Sequence, residues 1–225
     1  MPSPIITAII PVKKESGRLR NKNILPFADS NLLIHKIRQL KEVKAVSEII
    51  VSSDSDAMLE MARNEGVVAM KRPIEFANES RSFSDFLEYI CENTTGDHIL
   101  WACVTSPLVD SNVYREGIEM YLQKREEGYD SLITVHRFQH FLLDGNGPLN
   151  FHRGKGHKNS QDLPPLFLFT NGIILAPRKN MYEWKYHFGI NPFYLEVTKD
   201  AAIDIDDIYD YECALTFYNM NSRNK

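Results

Sequence analysis

The stretch "IIPVKKESGRLRNKN" sets five cations, Lys13, Lys14, Arg18, Arg20 and Lys22, around a small Ser16-Gly17 step. Lys and Arg beside exposed backbone N–H groups suit a polyphosphate, because charge-assisted hydrogen bonds to phosphate oxygens are short and strong. Lys22 is the candidate to neutralise charge that develops on a transferred phosphoryl group and its leaving group. A solvated basic loop is the competing reading. Far along the chain, "AAIDIDD" puts Asp204 and Asp206 two residues apart. In an extended stretch both side chains share one face, and two hard carboxylates suit Mg²⁺ that bridges phosphate oxygens. Against this, Asp206 or Asp207 could simply cap the helix that follows. Asn171 beside Gly172 offers a polar group with room for close backbone approach, or else a turn at a strand start.

The elements that would position these groups alternate along the chain. Ile5 to Val12 is apolar and β-branched and predicts a buried strand ahead of the cationic loop. "NLLIHKIRQLKEV" carries Leu33, Ile37 and Leu40 at helical spacing. "EIIVSSD" is a short strand; Asp54 or Ser55 caps the helix "DAMLEMARNEG", which Gly66 stops. "VVAMKRP", "HILWACVTSP" and "DSLITVHRF" predict three more strands, separated by the helices "FSDFLEYICEN" and "NVYREGIEMYLQKREEG". This βαβαβαβαβ order predicts a Rossmann-like α/β domain spanning 1–225, with a mostly parallel sheet and helices on both faces. From His136 to Pro165 the pattern gives way to glycines, prolines and scattered histidines, a loop-rich arm of the kind that serves function or association. The core resumes at "LFLFTNGIILAP", the last helix is "DIYDYECALTFYN", and Asn219 to Lys225 are expected to fray. In a doubly wound sheet the loop after the first strand is a common phosphate site, which is where the cations fall.

Composition narrows the function classes. Thirty acidic residues against 26 basic ones give a net charge of −4. That argues against general binding to nucleic acid or an anionic membrane, both of which require a basic surface. Cys91, Cys103 and Cys213 are odd in number and widely spaced, so they predict free thiols in a reducing compartment. The apolar start is too short for a membrane span and lacks a basic flank, so a cytoplasmic protein is expected. The first loop is neither Gly-x-Gly-x-x-Gly nor a Walker loop.

The loop resembles the first motif of the cytidylyltransferases that activate 2-keto-3-deoxy sugar acids, such as CMP-sialic acid and CMP-KDO synthetases. The shared residues are Lys13, Ser16, Arg18-Leu19 and Lys22-Asn23. The resemblance continues in register through "IIVSSDSD", "KRPIEFANESRSFSD", "VTSPLVD", "TNGIILA" and "AAIDIDD". It implies transfer of CMP from CTP with release of pyrophosphate, Mg²⁺ at Asp204 and Asp206, and a protruding arm, here 136–165, that forms a homodimer. It further implies that Lys13, Ser16 and Arg18 grip the phosphates, with Arg18 and Lys22 catalytic and Asn23 supporting the loop. Arg72 would reach the ribose or base, and Ser82 would join the nucleotide site. Backbone around Cys103 to Ser106, with Thr105, would meet the cytosine edge, although Thr105 fits a turn equally well. Asn171, Gln161, Phe193 and Tyr194 would line the sugar pocket, while aromatic residues on a strand also suit a core. The chain departs from the family at Lys13, Cys103-Val104, Gln161 and Leu175. The nucleotide and metal half is therefore matched more closely than the sugar half, and the acceptor need not be N-acetylneuraminate. Two alternatives stay open: a nucleotidylyltransferase that makes an NDP-sugar from a sugar phosphate, and an eroded nucleotide-binding module.

Overall fold

A computed structural model describes residues 4–78 and 80–223. The chain runs β1 (Ile6–Pro11), two short pairing strands β2 (Pro26–Phe27) and β3 (Ser30–Asn31), α1 (Leu32–Lys41), β4 (Val46–Ser53), α2 (Asp56–Asn64), β5 (Val68–Lys71), α3 (Phe83–Glu92) and β6 (His98–Trp101). It continues through α4 (Ser111–Glu126), β7 (Ser131–Phe138), the small hairpin β8 (Leu143–Asp144) and β9 (Gly147–Pro148), β10 (Leu166–Pro177), α5 (Arg178–Trp184), β11 (Pro192–Glu196) and α6 (Ile208–Arg223). Seven strands form one sheet in the order β5-β4-β1-β6-β10-β7-β11.

The expected mostly parallel α/β sheet is what the chain builds. β1 pairs in parallel with β4 and β6, β4 with β5, and β7 with β11. β10 runs antiparallel to both β6 and β7. β1 sits near the centre because its side chains are apolar towards both layers. Ala8 and Ile10 enter the layer filled by α1, α4 and α6, while Ile9 enters the layer of α3 and α5. Helix starts are set locally: Asn31, Ser55 and Asp110 each accept backbone N–H groups at the heads of α1, α2 and α4.

Three expectations need correction. The strand predicted over 98–107 stops at Trp101. Beyond it, the carbonyls of the next residues are taken by side chains of α1 and by Ile205, not by a neighbouring strand. α6 continues in regular helix to Arg223, past the point where fraying was expected, and 224–225 lie outside the described residues. The arm begins later than His136, because β7 runs to Phe138 and Leu166 pairs directly with Phe138. The arm also has a small aromatic cluster of its own, in which Phe141 meets Phe151 and His157. Phe138, Leu142 and Phe151 are half-buried, while Phe141 and Leu143 are exposed, as is the run Leu166 to Phe169 on β10. No helix among the described residues is long and apolar enough to cross a membrane.

Gly172 marks an irregularity in β10, where the pairing with β7 shifts register between Phe169 and Ile174. A Cβ there would lie 2.8 Å from Val109 Cγ2 and 3.0 Å from Thr134 Oγ1. Its space is thus taken by buried neighbours, and the close approach it permits is one of packing within the protein. The Tyr114 hydroxyl also donates to the Gly172 carbonyl at 3.2 Å. Gly172→Ala is expected to destabilise the fold by about 1–3 kcal/mol, the usual cost of overpacking a filled core. Chemical denaturation would check this, and an unchanged midpoint would contradict it.

Candidate active site

At the carboxyl ends of β1 and β6 the chain opens into a cleft of roughly 220 Å³. The loop after β1 supplies Lys13, Ser16, Lys22 and Asn23; Arg72 follows β5; Cys103, Val104 and Thr105 follow β6. The loop is held at both ends. The buried Asn23 amide donates to the Lys13 carbonyl at 2.8 Å, and Lys14 N donates to Asp54 Oδ1 at 2.8 Å. Asn21 enters the short turn Lys22–Ile24 at φ 55°, a left-handed conformation that asparagine tolerates.

Lys22 reaches across the cleft mouth. Its Nζ donates to the Ile205 carbonyl at 2.8 Å and to Asp206 Oδ1 at 3.2 Å. Arg18 Nη2 donates to the same Asp206 oxygen at 2.8 Å, from a side chain that is 70% exposed. Asp206 is not a cap. Asp207 takes that role, accepting from Tyr209 N and Asp210 N, while Asp210 accepts from the amides of Asp206 and Asp207. Asp204 Oδ2 accepts from Asn171 Nδ2 at 2.6 Å, which joins the sugar-side and metal-side candidates directly. Asp204 and Asp206 both line a second cavity of about 740 Å³, together with Asp200, Tyr209 and Asp210.

Arg72 is buried rather than solvated. It donates to the Ser52 carbonyl at 2.7 Å, and its guanidinium lies 4.1 Å from the centre of the Phe86 ring. Burial lowers its pKa to about 10, so it stays charged at neutral pH. Cys103 is half-buried and lines the cleft. Burial, reinforced by the Asp204 carboxylate, pushes its thiol up to about 12 despite the opposing pull of Lys36. The thiol of this cleft-lining residue is therefore neutral at physiological pH.

Four candidates lie apart from the cleft, from the larger cavity and from the residues bonded across them. Ser82 caps α3, its hydroxyl accepting from Asp85 N while Asp85 accepts from Ser82 N. Gln161 is exposed on a turn of the arm, and its carbonyl accepts from Gln139. Phe193 and Tyr194 belong to the edge strand β11. Phe193 packs on Tyr129 beneath the Lys124 ammonium, and Tyr194 meets Phe167. Sequence reasoning missed Lys36, His35 and Gln39 of α1, whose polar atoms hold the carbonyls that follow β6. A signal was present: Lys36 falls on the same helical face as Leu33, Ile37 and Leu40.

A family model for cytidylyltransferases matches residues 7–206. The chain belongs to the cytidylyltransferase family. It is similar to an N-acylneuraminate cytidylyltransferase of Escherichia coli, with 28% identity over 227 residues. That match covers 98% of this chain and 54% of the relative, so the chain spans about half its length. A pseudaminic acid cytidylyltransferase of Campylobacter jejuni is 24% identical over 95% of this chain and 96% of its own. Among solved structures, a CMP:2-keto-3-deoxy-manno-octonic acid synthetase complexed with CTP superposes with a TM-score of 0.69. It is 14% identical, covers 96% of this chain and 99% of its own, and so supports the fold alone.

The raised thiols yield a pH prediction. Burial also pushes Cys91 up to about 12. Both Cys91 and Cys103 should resist iodoacetamide at pH 8 in the folded protein and react once it is denatured. Rapid labelling of Cys103 in the native state, read by mass spectrometry, would contradict the neutral thiol.

Proposed function

We propose that this chain transfers CMP from CTP to the anomeric hydroxyl of a 2-keto-3-deoxy sugar acid of the sialic or pseudaminic acid type. One observation carries the reading: Lys22 and Arg18, from the loop after β1, meet Asp206 at the mouth of the cleft. Cations that adjoin carboxylates there suit a triphosphate, whereas a nucleotide-binding module has no need of the acidic pair. The similarity to enzymes named for sugar acids supports the choice of acceptor.

In the reaction the anomeric oxygen bonds to the α-phosphorus, its proton is released, and the α–β bridging bond breaks with its electron pair leaving on pyrophosphate. Lys22, little exposed and held in place, faces the charge that shifts on to that leaving group. Arg18 is free to swing from Asp206 on to the outer phosphates, and Lys13 holds the triphosphate from the loop's other end. The wall from Cys103 to Thr105 faces the base. The cavity of about 740 Å³ beside Asp204 and Asp206 adjoins the reacting centre and has room for the acceptor. Asn171 would orient both Asp204 and the acceptor.

Asp204 and Asp206 fit Mg²⁺. Among the described residues no group of three or more ligating side chains is placed to hold a metal. Two hard carboxylates instead suit an ion that takes its other ligands from phosphate and water. Bound there, Mg²⁺ would supply positive charge at the phosphates. The exposed run Leu166–Phe169, beside the arm, supports a homodimer that covers it.

The test is pyrophosphate release from CTP and Mg²⁺ with a panel of acceptors. Keto sugar acids should give pyrophosphate; release only with glucose 1-phosphate would favour the NDP-sugar alternative and overturn the proposal. Lys22→Ala should lower turnover by about 10²–10³ with little change in the KM for CTP. Lys13→Ala should chiefly raise that KM. Asp206→Asn should abolish turnover with the thermal midpoint nearly unchanged. Sedimentation of the same protein at micromolar concentration should give a dimer, and a strict monomer would refute that part.

A further inference from the structure

α1 carries a charge where an amphipathic helix would carry an apolar side chain. Lys36 is fully buried, and its Nζ lies 4.8 Å from the centre of the Tyr114 ring. It donates to the carbonyls of Ser106 at 2.9 Å and Val109 at 3.2 Å. No carboxylate among the described residues lies within ion-pair distance of it. Burying an ammonium without a counter-ion opposes folding, and a neutral side chain of similar volume often stabilises such a site. Stability alone therefore does not account for this lysine.

The segment that Lys36 holds is the cleft wall. Cys103, Val104 and Thr105 face the cleft, and the next four residues return to α4. The segment follows no strand register, so its position is set by what takes its carbonyls. Ile205 N donates to the Thr105 carbonyl at 2.8 Å, and Gln39 to that of Pro107 at 2.8 Å. Among the described side chains Lys36 grips the segment at two points, Ser106 and Val109.

We propose that Lys36 is a positioning residue for the nucleotide: its ammonium sets where the wall from Cys103 to Ser106 meets the base of CTP. This rests on the CTP reading above, and the experiment separates the two. Its signature is affinity without chemistry, because Lys36 lines neither the cleft nor the larger cavity beside it.

A second signature is pH. Burial lowers Lys36 from 10.5 to about 7. The groups facing it are Cys103 and Asp110 of the wall segment, Tyr114 of α4 and His35 of its own helix. Burial holds His35 down to about 4, Cys103 up to about 12 and Tyr114 well above its ordinary value, so these three stay neutral across the physiological range. Because the folded pKa lies below the unfolded one, the charged form costs stability below pH 7, and that cost fades as pH rises towards 10.5.

CTP binding would be measured by titration calorimetry for the wild type, Lys36→Met and Lys36→Gln, alongside turnover at saturating CTP. Lys36→Met should weaken CTP binding about tenfold, the scale of one lost charge-assisted hydrogen bond, with turnover within about twofold of wild type. Its midpoint should equal or exceed that of the wild type, most clearly below pH 7. Lys36→Gln, which keeps a donor, should recover part of the affinity and carries the same test should the methionine variant not fold. The affinity gap between wild type and Lys36→Met should narrow as pH rises through about 7. Unchanged CTP affinity with a lowered midpoint in Lys36→Met would overturn the inference and leave Lys36 a core residue. A wild type that binds no CTP would remove the nucleotide reading itself, and this role with it.

Discussion

The ammonium of Lys22 ties the two ends of the domain together. It comes from the loop after β1 and is held by the Ile205 carbonyl and the Asp206 carboxylate, more than 180 residues further along. Ile205 in turn donates its N–H to the Thr105 carbonyl, so one short stretch registers the cationic loop against the wall beyond β6. Without that junction the cations, the acidic pair and the wall beyond β6 would be separate loops on one sheet edge. The parallel strands bring these loops to a common edge, and the junction fixes their mutual positions.

The site holds its charges at some expense to stability. Arg72 and Lys36 are both buried on backbone carbonyls and aromatic faces instead of carboxylates. Arg72, at about 10, retains its charge for a ligand, whereas an ion pair would already have neutralised it. Arg18 differs: it is exposed and rests on Asp206, where the pair gains little and separates readily. A fixed cation, Arg72, in the cleft and a movable one, Arg18, at its mouth suit a ligand that brings several negative charges.

Much of this was readable in the sequence, because local rules and tertiary structure agree there. The apolar, β-branched run Ile5 to Val12 read as a buried strand, which put the cations after it at that strand's carboxyl end. The motifs around Lys22 and Asp206 gave the family. What local pattern could not reveal was long-range. The antiparallel course of β10 leaves no mark in its own residues. Ser82 looks alike as a ligand and as a cap, and only the geometry with Asp85 assigns it to the helix start. Gly172 was read as allowing close backbone approach or a turn, whereas Val109 and Thr134 occupy the space beside it from distant positions. Phe193 and Tyr194 fall on an edge strand whose place in the sheet no periodicity dictates. Lys36 was the reverse case: its spacing marked it as buried, and lysine's usual exposure obscured that.

The central claim is that the junction of Lys22 with Asp206 is built to move a nucleotidyl group to a sugar acid. The most direct measurement follows CTP labelled at its α-phosphorus. In the presence of a keto sugar acid and Mg²⁺, the label should appear in a sugar–CMP adduct, with unlabelled pyrophosphate released in equal amount. Label found only in free CMP or CDP, with none joined to any sugar acid, would contradict the account.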